Sequence, residues 1–188
     1  MSNADSKFFV RTTQSSTYIV TPGYNVAVEI SLRDFREVDF ERLWRIDQAC
    51  FAPGIAYSRR ELMSYVRLSR STTLVADATS GHSNTPEIVG YIIAHAGSTS
   101  TGHIITIDVL PSAQRLGVGS KLLSAAEVKL VAQRCTMAYL ETAVDNLPAL
   151  AFYKRHNYFL HKTLPRYYAN GVDALVLQKD LLSSAPAS

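Results

Sequence analysis

Gln114-Arg115-Leu116-Gly117-Val118-Gly119 joins an apolar run, Ile104-Ile105-Thr106-Ile107-Asp108-Val109-Leu110, to a helical pattern that opens at Ser120. A strand that turns into a helix over six residues leaves the first amides of that helix without intrahelical partners. The helix dipole adds positive potential at the same place. Such a turn holds a phosphate or pyrophosphate, and glycine lets the backbone approach the anion with no side chain between them. Taken alone, the pattern also describes an ordinary strand–helix turn. The neighbouring residues exclude two other phosphate motifs. A dinucleotide fingerprint requires a third small residue where this chain has Leu122. A Walker loop requires Gly directly before Lys-Ser/Thr, and Ser120 separates Gly119 from Lys121.

Outward from this turn, periodicity sets the architecture. Val26, Val28, Ile30 and Leu32 alternate with other residues and predict a first strand. Asp39 reads as the cap of a helix with Phe40, Leu43, Ile46 and Cys50 on one face. Ser58-Arg59-Arg60-Glu61 is a capping box for a second helix, with Leu62, Tyr65 and Val66 facing inward. Strands are expected over residues 72–76 and 88–96, separated by the loop Gly81-His82-Ser83-Asn84-Thr85-Pro86. A second polar turn, residues 97–102, leads into the strand at Ile104. A long helix from about Gly117 to Gln133 is expected to bury Leu122, Leu123, Ala126, Leu130 and Val131. A strand (137–142), a helix (146–156) and two last strands (158–164 and 174–181) complete the order β-α-α-β-β-β-α-β-α-β-β. The three middle strands form a meander and the strand–helix–strand crossovers require a parallel portion. The expected fold is therefore α/β, a central mixed sheet flanked by helices.

At 188 residues and 47% hydrophobic content the chain builds one domain with a core. We place it at residues 25–182. Residues 1–24 read as an N-terminal extension, in which Ser2-Asn3-Ala4 resembles a vector-derived remnant. The stretch around Phe8-Phe9-Val10 is either a flexible arm or an added edge strand. Residues 183–188 read as a disordered tail. A formal charge of +3, with no basic run and no basic–aromatic interleaving, argues against a nucleic-acid partner, while a mildly basic surface suits a small anionic ligand. Cys50 and Cys135 lie in apolar contexts and read as reduced core residues of a cytoplasmic protein rather than a disulfide. The five histidines show no metal-ligand spacing, so no metal is expected. With no apolar stretch of about eighteen residues and no signal peptide, the chain is expected to be soluble and without a membrane partner.

From Val109 onward, Val109-Leu110-Pro111-Ser112-Ala113-Gln114-Arg115-Leu116-Gly117-Val118-Gly119 resembles the V-x-P-x-x-[QR]-R-x-G-x-[GA] loop of the GNAT acyltransferase superfamily and matches it at every defined position. The element order resembles the GNAT layout over residues 26–181. Tyr139-Leu140-Glu141, Asp145-Asn146, Ala149 with Phe152-Tyr153, and Tyr167-Tyr168 with Asn170-Gly171-Val172-Asp173-Ala174 narrow the resemblance. They are similar to the N-α-acetyltransferases, the branch of the ribosomal-protein alanine acetyltransferases and the co-translational N-terminal acetyltransferases. Cys50-Phe51, Pro53 and Tyr57-Ser58 resemble that branch's substrate-side segment. Asn157 stands where relatives carry Gly; Asn is the next best residue at a left-handed helix end. Thr142-Ala143-Val144 stands where relatives often carry Val-Arg-x, which leaves the acceptor's side-chain preference open.

The resemblance implies acetyl-CoA as co-substrate and no metal. It places the coenzyme on Ile107, Val109, Gln114, Arg115, Leu116, Gly117, Val118, Gly119, Ser120, Asn146 and Tyr153, with a Val109 amide donating to the thioester carbonyl. It makes Glu141 the base, the alternative being a carboxylate paired with a nearby Lys or Arg. An α-amino group titrates near 7.7–8.0, about two units below lysine, so a carboxylate acting through one water suffices. It makes Tyr153 the acid for the departing thiolate, the alternative being a core tyrosine beside Phe152. Asn146 caps its helix and by resemblance touches the pantetheine arm. His103 either lines the acceptor site and relays the proton or is a solvated strand-end residue. Tyr57, Tyr167 and Tyr168 form the acceptor rim, although aromatics in a turn also serve packing. The expected acceptor is a protein or peptide N-terminus. The alternatives are a small amine, a lysine side chain or, outside catalysis, a domain that only binds acyl-CoA or a partner. A monomer or a homodimer is expected.

Overall fold

The computed structural model describes residues 9–13, 16–21, 24–51, 55–80, 83–168 and 170–183. Ser2-Asn3-Ala4, Pro53 and the tail from residue 184 onward lie outside the described residues. The elements are β1 (Phe9–Thr13), β2 (Ser16–Thr21), β3 (Tyr24–Asp34), α1 (Phe40–Cys50), α2 (Arg59–Val66), β4 (Ser71–Ser80) and β5 (Ser83–Ala96). They continue with β6 (Thr101–Val109), α3 (Val118–Ala132), β7 (Met137–Ala143), α4 (Leu147–Arg155), β8 (Phe159–Leu164) and β9 (Ala174–Asp180). Among the described residues the strands form one sheet in the order β1-β2-β3-β4-β5-β6-β7-β9-β8. This is the mixed, helix-flanked sheet expected from the sequence.

Two apolar layers sandwich the sheet. Ile92, Ala94 and Ile104 meet Leu122, Leu123, Ala126 and Leu130 of α3 and Tyr153 of α4 on one face. Val75, Tyr91 and Ile93 meet Leu43 and Ile46 of α1 and Leu62 of α2 on the other. At Gly102 the β6 backbone lies so close to α3 that a Cβ would stand 2.5 Å from Leu130 Cδ1.

Several details differ from expectation. β1 pairs antiparallel with β2 and β2 with β3, so the edge-strand alternative for the N-terminal stretch holds, extended to a two-stranded hairpin. β4 and β5 run on through most of the expected 81–86 loop, with register irregularities at Ala76/Asp77 and Ala78/Ser80; Pro86, which has no N–H to donate, falls at the second of these. β6 begins at Thr101, three residues before Ile104, because Thr101–His103 pair with β7. Val131 is 41% exposed, since it lies well round the helix from Leu122 and Ala126. Asp39 does not cap α1. Its carboxylate accepts from the Arg36 amide at 2.7 Å and from both terminal nitrogens of Arg33 at 2.7 and 3.0 Å, closing a 3₁₀ turn ahead of the helix.

One feature of the sheet creates the site. β6 and β7 are parallel, the only such pair in the sheet's described residues, and their pairing covers only Thr101↔Met137, Gly102↔Ala138 and His103↔Tyr139. Beyond His103 the strands part. β7 continues paired with β9, and β6 with β5. An unpaired gap therefore opens between two interior strands, with Ile104–Val109 on one side and Leu140–Ala143 on the other.

Candidate active site

The backbone on the β6 side of the gap is set by ladder geometry. The Leu110 amide donates to Val89 O at 2.9 Å. Bonded pairs alternate along an antiparallel ladder, so Asp108↔Tyr91 is bonded, while Val109 (opposite Gly90) and Ile107 (opposite Ile92) turn their N–H groups away from β5 and into the gap. The Val109 carbonyl is already engaged by Cys50 Sγ at 3.4 Å and Gln114 Nε2 at 3.1 Å. A register shift at Ile93/Ala94 inserts one extra residue in β6. Its effect is to reset which face each side chain meets. Ile104, Ile107 and Val109 all join the α3-side core, and Ile105 the α1-side core.

The glycine loop closes one end of the gap. Gly117 has φ +78°, a left-handed conformation that favours glycine, and Arg115 shares that region at φ +65°. The first bond of α3 runs from the Lys121 amide to Gly117 O at 3.0 Å, which leaves the amides ahead of it without helical partners. A Cβ on Gly119 would lie 3.4 Å from the Phe152 ring and 3.9 Å from Val109 Cγ2. The loop thus meets β6 and α4 at one point. Asn146 Oδ1 accepts from the Ala149 amide at 3.2 Å, the expected cap of α4, and Asn157 takes the left-handed end at φ +63°. Unpaired helix amides in line with free strand amides fit a ligand that carries a diphosphate at one end and an amide-rich arm at the other, as coenzyme A does.

At the mouth of the gap, Glu141 Oε2 lies 2.7 Å from His103 Nε2. Its partner is a histidine, not a lysine or arginine. His103 also stacks on Tyr139, with centroids 4.5 Å apart and planes 4° from parallel. Both members of the pair are partly sheltered, at 28% and 19% exposure. Tyr57 packs edge-on against Tyr65 at 5.1 Å, and Tyr167 edge-on against Tyr168 at 5.2 Å. Burial and then Glu141 hold the Tyr167 hydroxyl above the ordinary tyrosine value; burial pushes Tyr168 up to about 12. Tyr153 is 7% exposed and edge-on to Phe152 at 5.1 Å. Burial first, then Asp108 and Tyr168, push its hydroxyl well above the usual range.

Sequence reasoning missed Tyr65 and Tyr139 as site residues, although Tyr139 and Glu141 stand two apart on one strand face, the alternation that would have found it. It also missed a buried acidic cluster behind Val109. Asp108 is 1% exposed, with Oδ1 held by Thr106 Oγ1 at 2.7 Å. Asp47 is fully buried, with Oδ2 accepting from the Tyr57 amide at 2.9 Å. Asp47 Oδ1 is buried without a hydrogen-bond partner, while the buried Tyr91 hydroxyl faces the Asp108 carboxylate. Burial, opposed by hydrogen bonds, raises Asp47 to about 6 and Asp108 to about 7; burial followed by Asp108 raises Cys50 to about 12. The signal available in sequence was one Asp amid apolar neighbours.

Asp108 makes the stability of the fold depend on pH. A carboxyl whose folded pKa exceeds its unfolded value favours folding at low pH and loses that contribution as pH rises, here between about 4 and about 7. At about 1.4 kcal/mol per pKa unit, ionising Asp108 costs a few kcal/mol. Asp108→Asn is therefore expected to melt several degrees above the parent at pH 8, with the gap closing towards pH 4. Calorimetric melting across that range checks it; an equal offset at every pH would refute the titration.

The family model described as "Acetyltransferase (GNAT) family" matches residues 34–158. An N-alpha-acetyltransferase of Sulfolobus acidocaldarius is 34% identical over 107 residues, covering 50% of this chain and 64% of that relative's own length. An N-alpha-acetyltransferase of Sulfurisphaera tokodaii is 26% identical over 165 residues, covering 81% and 94%. Among solved structures, a chain of the NatC complex bound to Gag peptide and CoA is similar with a TM-score of 0.69 at 25% identity, covering 81% of this chain and 98% of that one. No helix among the described residues is long and apolar enough to cross a membrane.

Proposed function

The chain belongs to the GNAT acetyltransferase family; from that premise we propose that it is an acetyl-CoA-dependent N-acetyltransferase whose acceptor is the α-amino group of a protein or peptide N-terminus. The observation that carries this reading is the Glu141–His103 pair, held at 2.7 Å where the β6–β7 gap opens, with Tyr167 near Glu141 and with Tyr57 and Tyr65 near Tyr167. Relatives named N-alpha-acetyltransferase support it.

Acetyl-CoA supplies an acetyl group activated as a thioester. Glu141 accepts the proton that the acceptor ammonium must lose, directly or through one water, so that the neutral nitrogen forms the new bond to the acetyl carbon. His103 orients the carboxylate and passes the proton outward. The Val109 amide, turned into the gap, donates to the acetyl oxygen, where negative charge grows as the C–N bond forms. Tyr153 gives the sulfur a proton as the C–S bond breaks, and the second proton that the nitrogen sheds in becoming an amide restores the phenol; its raised pKa keeps it protonated at any working pH. Gly117 to Ser120 hold the diphosphate, and Ile107 the pantetheine arm.

An α-amine is the better match to a carboxylate base, because a lysine side chain costs about 1.4 kcal/mol more per pKa unit to reach its neutral form. Tyr167 and Tyr168, closing over a peptide backbone, favour an acceptor with at least two residues after its amine, and small first residues such as Ala or Ser. The test compares a peptide with a free N-terminus, the same peptide blocked but carrying an internal lysine, and spermidine. The free N-terminus is expected to be fastest. A faster blocked peptide or spermidine would move the acceptor to a side chain or a small amine.

A further inference from the structure

Ser120 stands in the first turn of α3, at the mouth of the glycine loop, and His156 closes the C-terminal end of α4. They meet with Oγ and Nε2 2.9 Å apart. We propose that His156 is a coenzyme-binding residue, the proton-linked partner through which Ser120 grips the diphosphate of acetyl-CoA. The proposal rests on the assignment of the diphosphate to Gly117–Ser120.

A serine hydroxyl has one proton and two lone pairs. If it donates to the imidazole, only lone pairs remain for a neighbour, and these repel a phosphate oxygen. If Nε2 carries a proton and donates to Oγ, the serine proton is left for the phosphate. Binding an anion at Ser120 therefore selects the Nε2-protonated forms of His156, the neutral tautomer and the imidazolium. Of these, the imidazolium adds a positive charge beside the diphosphate.

The surroundings of His156 decide when that charge is present. Phe152, one turn earlier on α4, covers one side at 4.7 Å. Glu127 of α3 favours the charged form, but its carboxylate already takes Lys179 Nζ of β9 at 2.6 Å and the Tyr158 hydroxyl at 3.0 Å. Lys179 itself and Arg155 of α4 oppose the charge on His156. Burial, the largest cause, together with these cations holds His156 below its ordinary value. A diphosphate is the compensation this group of cations lacks, and the C-terminal end of α4 favours a cation there as well. Coenzyme binding thus raises the histidine's pKa and takes up a proton. Affinity is full below the free histidine's pKa and declines as pH rises through the value reached in the complex.

The test tracks the His156 imidazole by NMR through a pH titration with and without coenzyme A, alongside calorimetric Kd values at pH 6 and pH 8. We expect the imidazole pKa to rise by about one unit on binding, which corresponds to an affinity up to about tenfold tighter at pH 6 than at pH 8. His156→Gln keeps a donor for Ser120 but does not titrate, so it should match the parent at pH 8 and lose the gain at pH 6. His156→Phe removes the imidazolium charge and leaves the serine proton free, so it too should lose the gain at pH 6. Ionisation of the coenzyme's own phosphates is common to all three proteins, so the contrast between them is the readout. An unchanged His156 pKa in the complex, or the same pH dependence in His156→Gln, would overturn the proposal. Failure of the parent to bind coenzyme A at any pH would instead remove the diphosphate assignment beneath it.

Discussion

Gly119→Asp is expected to abolish useful coenzyme binding, weakening Kd by about a hundredfold or more, equivalent to about 2.7 kcal/mol. Position 119 lies between the Phe152 ring and Val109, ahead of the first intrahelical bond of α3. An aspartate there sets a negative charge against the diphosphate and cancels the attraction of the helix start. Gly119→Ala separates charge from volume. Its Cβ would meet Phe152 at 3.4 and 3.5 Å, ordinary contact distances, so binding should stay near the parent's. Calorimetry with coenzyme A decides between them. Equal affinity in the aspartate variant would move the diphosphate to another part of the chain and end the reading of the loop.

Glu141→Gln is expected to slow acetyl transfer by about 10²–10⁴-fold while leaving coenzyme affinity nearly unchanged. Glutamine fills the same space and can still bond His103, but it takes no proton. The deficit should shrink as pH rises past the α-amine's own pKa, near 7.7–8.0, because the acceptor then arrives neutral. Tyr153→Phe should show a deficit that high pH does not rescue, since the missing group delivers a proton instead of accepting one. Rates measured from pH 6 to pH 9.5 with one peptide distinguish the two profiles. Full activity in both variants would transfer the chemistry elsewhere, with His103 the first residue to replace.

What could be read from sequence was local. Periodicity located β3 through β9 and all four helices, because each pattern repeats within a dozen residues. The strand-to-helix turn at residues 114–119, the Asn146 cap and the left-handed Asn157 are likewise decided by neighbours in the chain. What escaped depends on distant partners. Glu141 was picked out by its motif, but its pairing with His103 requires residues 101–103 to lie beside 137–139, a register no local pattern contains. The extra residue in β6 is recognisable only against β5, and it sends Asp108 towards α1 and Tyr91 instead of the coenzyme side. Asp39 looked like a cap until Arg33 claimed its carboxylate. The β1–β2 hairpin left only a short apolar burst in a polar stretch, a signal compatible with either of two structures.

The gap between β6 and β7 also places a raw edge in the middle of the protein. Sheets ordinarily confine unpaired backbone to their outer strands, where charge, proline or short length keeps foreign strands away. Here Ile107 and Val109 offer amides in an apolar setting, and the acidic residue between them, Asp108, is buried towards Asp47 of α1. An extended chain of similar width, whether a peptide fragment or an unfolding neighbour, would find the same row of donors as a coenzyme's arm. On the proposed reading, a coenzyme arm seated along β6 would take up those amides and complete the sheet that the chain by itself leaves open between β6 and β7.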